Sequence, residues 1–91
     1  MQLFTPVSPE VAASLERGAP LDCSLFWLDR PVPEEVDEDA IWVEIDLPED
    51  EVAEYETRSA RELGYREFEL PPTMPARSRA RRAAVAPDGM R

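Results

Sequence analysis

The chain has 91 residues, of which 43% are hydrophobic, and its formal net charge is −10 at neutral pH. This length suits one small domain, which buries only about 60–65% of the surface that its unfolded chain exposes. The single cysteine, Cys23, excludes an intrachain disulfide, and the absence of histidine excludes the usual zinc sites and any Ser/His/Asp catalytic arrangement. Chemistry would therefore need carboxylates, tyrosine, arginine or a bound cofactor.

Charge divides the chain into two parts. Residues 1–70 contain 19 acidic and 5 basic side chains, whereas residues 71–91 contain 1 and 5. We therefore expect an acidic domain over residues 1–73 and an arginine-rich tail over residues 74–91 that is mobile or ordered only on binding. An alternative is that the tail folds back on the acidic residues. All ten basic residues are arginine, which suits bidentate contacts but also fits a GC-rich coding sequence.

The start of the chain and its apolar segments predict a protein of the cytoplasm with no membrane partner. The opening Met-Gln-Leu-Phe-Thr-Pro has no basic segment, and nowhere do eighteen apolar residues follow one another. A reducing compartment also fits the single cysteine.

The first predicted elements are a short strand and a helix. A strand over residues 1–5 is expected to stop at Pro6. The motif Ser8-Pro9-Glu10 is typical of a helix start, because serine can cap the free amides and proline loses nothing at the first position. Gly18 supplies a left-handed cap at the other end. Val11 lies on the apolar face of this helix, which we expect to pack on the sheet.

The middle of the chain predicts two further strands. The apolar run of residues 25–28 is too short for a helix. Residues 40–47 alternate between apolar and polar side chains, so one side of this strand should be buried, namely Ile41, Val43, Ile45 and Leu47.

After the central strand, proline and three acids at residues 48–51 predict a single helical turn, with Val52 and Tyr55 pointing to the core. A further turn is expected over residues 57–63, and a last strand over residues 65–70. The predicted fold is α+β, with a mostly antiparallel sheet of about four strands and one packed N-terminal helix.

The strongest candidate for a binding site is a run of carboxylates without a basic residue, which we call the acidic band. Such a run creates a negative field that attracts the Lys/Arg surfaces that proteins use for phosphate backbones. One alternative is a solubilising surface. Another is a metal site, although the spacing of the carboxylates is unlike that of a calcium loop. Its members are Glu34, Glu35, Asp37, Glu38, Asp39, Glu44, Asp46, Glu49, Asp50, Glu51 and Glu54.

Two further groups are candidates. Trp42 shares the polar side of its strand with Glu44 and Asp46, so it is either an exposed anchor for a partner or core under a covering segment. Arginines near the last strand either clamp a phosphate or pair with carboxylates; they are Arg58, Arg61 and Arg66, beside Glu67.

The order of elements resembles that of small ADP-ribosyltransferase-like proteins, including the RNA 2′-phosphotransferase group. The resemblance covers roughly residues 1–73 and is carried by Leu3-Phe4-Thr5-Pro6-Val7-Ser8-Pro9-Glu10, Leu25-Phe26-Trp27-Leu28-Asp29-Arg30-Pro31, Ile41 to Leu47 and Tyr65-Arg66-Glu67-Phe68. It implies NAD as cofactor, with Glu67 as catalytic acid and Arg66 on a phosphate. Thr5-Pro6-Val7 stands where the family has the His-Gly-Thr that contacts NAD, so the resemblance implies a scaffold without its catalytic equipment.

We therefore expect a non-catalytic acidic protein without a cofactor, which binds the basic surface of a partner protein. A concrete version is a nucleic-acid mimic that blocks a nucleic-acid-binding site, as small phage-type inhibitors of host defence do. Direct nucleic-acid binding by the tail is disfavoured, because five arginines are tethered to a domain of opposite charge. The alternative is an NAD-dependent enzyme of the ADP-ribosyltransferase type.

Overall fold

The computed structural model describes residues 1–19, 21–32, 40–59 and 64–83. Six antiparallel strands form one sheet in the order β4-β5-β2-β1-β3-β6, accompanied by two helices, so the predicted α+β class is confirmed. The elements in chain order are β1 (Gln2–Val7), α1 (Pro9–Glu16), β2 (Leu25–Leu28), β3 (Ile41–Asp46), α2 (Glu49–Val52), a 3₁₀ turn (Ala53–Tyr55), β4 (Glu56–Arg58), β5 (Glu67–Leu70), a second 3₁₀ turn (Pro75–Arg77) and β6 (Arg81–Arg82).

Helix α1 begins and ends as its sequence predicts. The Ser8 hydroxyl accepts a hydrogen bond from the Val11 backbone N–H at 3.3 Å, and Pro9 occupies the first turn. Gly18 follows the helix with a φ of 74°, which lies in the left-handed region that favours glycine. The buried side of the helix carries Ala12 and Leu15 and lies on the sheet.

The main core lies between α1 and one face of the sheet. The predicted alternation of β3 is confirmed, because Val43 and Ile45 are buried there. The predicted turn after β3 is also confirmed as α2, and Val52 and Tyr55 both pack against this core. The buried members of the core are Leu3, Val7, Ala12, Leu15, Trp27, Val43, Ile45, Leu47, Val52, Phe68, Leu70, Met74 and Ala80.

The opposite side of the sheet, which we call the second face, holds a smaller apolar cluster around Trp42. The expectation that Trp42 is exposed is wrong, because only 6% of this residue is accessible to solvent. Its ring packs with Leu28 and Val32, and Phe4 and Ala83 cover the cluster from the side. The alternative that Trp42 belongs to a core is therefore confirmed.

The sheet has six strands, so the predicted number of about four is wrong, although β1, β2, β3 and β5 lie where strands were expected. The missed strands, β4 and β6, lie at the two edges and have the sequences Glu-Thr-Arg and Arg-Arg. Short charged strands are typical of sheet edges, where they discourage pairing with other chains, and they carry no apolar alternation to detect. The turn expected over residues 57–63 is wrong at Thr57 and Arg58, which belong to β4, while residues 60–63 lie outside the described part of the chain.

Strand β1 continues through Pro6, where it was expected to stop. By the antiparallel register of Phe4 with Leu28, Pro6 lies across from Phe26. Proline has no N–H to offer the Phe26 carbonyl, and the Thr5 hydroxyl donates to that oxygen at 2.8 Å instead. The buried Thr5 therefore supplies the hydrogen bond that Pro6 cannot donate, and β1 continues beyond the proline.

Replacing Thr5 with valine is expected to lower the free energy of unfolding by about 1–2 kcal/mol, because the Phe26 carbonyl loses its hydroxyl donor while the side-chain shape is kept. Urea denaturation of the purified variant measures the change. The matched control is Thr57→Val, because the exposed Thr57 hydroxyl donates to Glu67 and water can replace it. Equal losses for the two variants would contradict the assigned role of Thr5.

The first ten residues of the predicted tail belong to the domain. Met74, Pro75 and Ala80 are buried, and Arg81–Arg82 pairs with β3. The Ser78 hydroxyl accepts a hydrogen bond from the Asp46 N–H at 3.0 Å, so this segment covers the outer edge of β3. A tail separate from the domain is thus not confirmed for residues 74–83, and residues 84–91 lie outside the described chain.

Candidate functional site

The acidic band is only partly within the described structure. Glu34, Glu35, Asp37, Glu38 and Asp39 lie outside the described residues. The other six members lie on β3, α2 and the following 3₁₀ turn; they are Glu44, Asp46, Glu49, Asp50, Glu51 and Glu54.

Arginines of the C-terminal segment neutralise part of the band. Arg81 donates to the Glu44 carboxylate at 3.0 Å, and Gln2 also donates to that oxygen at 3.1 Å. Arg77 lies 2.7 Å from a carboxylate oxygen of Glu51. The alternative that the tail folds back on the acidic residues is thus confirmed for Arg77 and Arg81.

Arg66 forms the best-connected ion pair among the described residues. Its guanidinium makes two hydrogen bonds to Glu56, at 3.1 and 3.0 Å, and one to Glu49 at 3.2 Å. The same group lies over the Phe68 ring, 5.1 Å from its centroid. Of the two interpretations of Arg66, pairing with carboxylates is the one that the structure confirms.

This pairing shifts the pKa of both partners. The hydrogen bond from Arg66 lowers the pKa of Glu56, and it outweighs the opposing effect of partial burial. The hydrogen bond to Glu56, assisted by Glu49, raises the pKa of Arg66 above the ordinary arginine value. Arg66 therefore stays charged at every accessible pH, and its guanidinium is bound to the Glu49 and Glu56 carboxylates.

Replacing Glu56 with glutamine is expected to weaken the loss of stability in acid. Because the folded-state pKa of Glu56 is depressed, its contribution is complete above the ordinary glutamate value of 4.5 and is lost as the pH falls through the lower folded-state value. Urea denaturation at about pH 6 and about pH 3.5 should therefore show a smaller difference for Glu56→Gln than for the unchanged protein. The exposed Glu54 has no ion pair with a described arginine, so Glu54→Gln is the control, and an identical pH dependence in all three proteins would refute the assignment.

Arg66 and Glu67 point to opposite faces of the sheet. Arg66 lies over Phe68, which belongs to the main core. Glu67 pairs in register with Leu28 of the second face and accepts a hydrogen bond from the Thr57 hydroxyl at 2.7 Å. A nucleotide held by Arg66 would thus lie on the side of the sheet away from Glu67. Of their predicted neighbours, Arg58 is exposed on β4, and Arg61 is outside the described residues.

Two surface cavities lie elsewhere. One, of about 290 Å³, lies between α1 and the segment before β2, and its lining includes Glu10, Leu21 and Cys23. The other, of about 320 Å³, lies where the end of α1 meets the second 3₁₀ turn and is lined by Arg17 and Arg79 among others. Neither cavity is lined by Arg66 or Glu67.

Within residues 1–19, 21–32, 40–59 and 64–83, no three His, Cys, Asp or Glu side chains are grouped so as to hold a metal ion. No helix in this part of the chain is both long and apolar enough to cross a membrane.

Exposed groups outside these ion pairs include carboxylates at α2 and an aromatic ring beside a carboxylate on the second face. Asp50 and Glu54 are exposed on α2 and the 3₁₀ turn that follows it. On the second face, Phe26 is 50% exposed and pairs in register with Glu69 of β5, which is also exposed. The sequence did not single out Phe26, because a continuous apolar run does not tell which of its side chains face the core.

The chain was compared with known proteins in three ways. No protein-family model, no curated protein and no solved structure matches it.

Proposed function

We propose that this protein is a non-catalytic acidic binding protein that engages a basic surface of a partner protein. The observation that carries the proposal is the excess of carboxylates left after internal pairing. The described residues contain 13 acidic and 8 basic side chains, and Arg66, Arg77, Arg81 and Arg82 are each bound to a carboxylate of the same chain. Half of the described arginines are thus paired within the fold, while exposed carboxylates such as Asp50 remain for a partner.

The negative electrostatic field of the exposed carboxylates steers and orients a partner rich in lysine and arginine. The net charge of −10 over 91 residues keeps the molecule soluble and repels other acidic proteins. Electrostatic complementarity raises the association rate and selects among partners more than it adds to affinity. A partner whose basic surface normally holds a nucleic-acid backbone fits this description, and occupying that surface would make the protein an inhibitor that acts as a nucleic-acid mimic.

Neutralising carboxylates at α2 is expected to weaken binding more than the same loss of charge elsewhere. The test variant is Asp50→Asn with Glu54→Gln, and the matched control is Glu10→Gln with Asp22→Asn, which has the same net charge. All four side chains are exposed in the structure. Each form is used as bait in a cell extract, the bound protein is identified and purified, and its dissociation constant is measured for both variants and the unchanged protein.

The expected result is a dissociation constant that rises about three- to tenfold for the α2 variant and less for the control. Equal weakening of the two variants would show that only net charge matters and would contradict a site at α2. Failure of the unchanged protein to retain any basic protein would contradict the proposed function.

The enzyme alternative is separated from this proposal by a titration with NAD. Calorimetry and melting temperature are measured together at millimolar NAD. We expect no saturable heat and no rise in melting temperature, because Arg66 is held by Glu49 and Glu56 and faces away from Glu67. A saturable heat with a raised melting temperature would favour the ADP-ribosyltransferase-type activity, and Glu67→Gln should then abolish turnover.

A further inference from the structure

The second face of the sheet is left uncovered around one aromatic ring. Phe26 is 50% exposed, and it is the one large hydrophobic residue that is exposed among the described residues. Its neighbours in the strand, Trp27 and Leu28, are buried on the two faces. Phe26 shares the second face with Leu28, because side chains two positions apart in a strand lie on the same side.

The strand register surrounds this ring with a defined set of side chains. Glu69 of β5 lies directly across from Phe26. On the other flank, Pro6 of β1 lies across from Phe26, and Trp42 of β3 lies across from Pro6. Phe26 and the partly exposed Pro6 therefore form a shallow apolar surface. The buried Trp42 cluster lies on one side of this surface, and the Glu69 carboxylate lies on the other.

Of the arginines near this surface, Arg81 and Arg30 make contacts within the fold. Arg58, in contrast, is exposed and has no ion pair with a described carboxylate, and Glu69 is also unpaired among the described residues. Arg81 is bound to Glu44 at 3.0 Å. Arg30 donates to the Gly64 carbonyl at 3.3 Å, and its guanidinium lies 6.0 Å from the centre of the Tyr65 ring. Arg58 lies across from Glu67 in the register of β4 and β5. Glu69 is exposed and has no ion pair with a described arginine, so its charge is free to meet a cation.

We propose that the surface formed by Phe26, Pro6 and Glu69 docks a segment of the partner protein in which an apolar side chain is flanked by arginine or lysine. The apolar side chain would cover the Phe26 ring, and a flanking cation would reach Glu69, where a cation beside an aromatic ring is also favoured. A second copy of this chain does not fit the surface, because it would bring a molecule of charge −10 against another. This proposal rests on the proposed function and assigns it a second contact surface, separate from the carboxylates at α2.

The proposal is tested with two synthetic peptides that differ at one position. One has a central leucine flanked on each side by two arginines, and the other has serine in place of leucine. Each is titrated into the ¹⁵N-labelled full chain at low salt, and amide chemical shifts and dissociation constants are recorded. The protein variants are Phe26→Ser, which removes the ring, and Glu69→Gln, which removes the charge; melting temperature confirms that each is folded.

The leucine peptide is expected to bind about three- to tenfold more tightly than the serine peptide. Chemical shift changes are expected at the amides of Phe26, Glu69 and Val7, the last of which follows Pro6. Phe26→Ser should abolish the difference between the peptides, whereas Glu69→Gln should weaken both and keep the difference.

Other outcomes overturn the proposal in distinguishable ways. Equal affinities for the two peptides, or shift changes confined to residues such as Asp50 and Glu54, would show that this face is not the docking surface while leaving the acidic binding function standing. No binding of either peptide at low salt would contradict the proposed function itself. Shifts at Phe26 that depend on protein concentration without peptide would show that a second copy occupies the face.

Discussion

Replacing Phe68 with alanine is expected to lower the free energy of unfolding by about 3–5 kcal/mol, which is the usual cost of emptying a buried aromatic site. Phe68 is fully buried, lies across from Trp27 in the register of β2 and β5, and carries the guanidinium of Arg66 on its ring. The substitution thus removes packing between two central strands and a contact of the Arg66 ion pair. Because small domains are stable by only about 5–15 kcal/mol, this loss is a large fraction of the total stability.

The matched control is Phe26→Ala on the neighbouring strand. It removes the same side chain from the other face of the sheet, where half of the residue already meets solvent. The expected loss is below about 1 kcal/mol. Urea denaturation followed by tryptophan fluorescence measures both variants. Similar losses at the two positions would mean that the faces of the sheet are assigned incorrectly.

Ending the chain at Thr73 is expected to lower the free energy of unfolding by at least about 3 kcal/mol. The deletion removes the buried side chains of Met74 and Ala80 and uncovers the outer edge of β3. It also takes away Arg77 and Arg81, which leaves Glu51 and Glu44 without their ion-pair partners. An uncovered edge strand should also make the shortened protein prone to association.

The control for this deletion ends the chain at Ala83, which keeps every C-terminal residue that the structure describes. Circular dichroism melts and size-exclusion chromatography compare the two shortened proteins with the full chain. If the chain ending at Thr73 is too unstable to purify, Met74→Ala tests the same contact in the intact protein. A chain ending at Thr73 that is as stable and as monomeric as the full chain would contradict the packing of residues 74–83 on the domain.

The elements that sequence analysis located correctly have strong local signals. Helix α1 has serine at its cap, proline in its first turn and a glycine with positive φ beyond its end. Strand β3 has apolar residues at alternate positions, Ile41, Val43 and Ile45, although Trp42 between them is also apolar, and β2 coincides with the apolar run of residues 25–28.

The missed elements depend on contacts that are distant in sequence. Strand β6 consists of two exposed arginines, and only its pairing with Val43 and Glu44 makes it a strand. Residues 74–83 contain few apolar side chains, so their composition is typical of a mobile segment. Contacts with the main core nevertheless bury Met74 and Ala80.

The candidate site was predicted only in part, because it also depends on contacts between residues that are distant in sequence. A dense run of carboxylates can be seen in a sequence, but the arginines that neutralise Glu44 and Glu51 lie 37 and 26 residues further along the chain. The two sides of β3 could also be seen in the sequence, whereas the residues that cover Trp42 come from distant parts of the chain, namely Phe4, Leu28, Val32, Tyr65 and Ala83. Phe26 became a candidate only when the register showed which of its neighbours were buried.

The central claim is that the acidic surface binds a basic partner, and the dependence of the dissociation constant on salt tests it most directly. The purified partner is titrated with the unchanged protein between about 50 and about 500 mM salt, over which the screening length shortens from about 14 to about 4 Å. We predict that the dissociation constant rises at least about tenfold over this range. A dissociation constant that stays the same from low to high salt would contradict the claim.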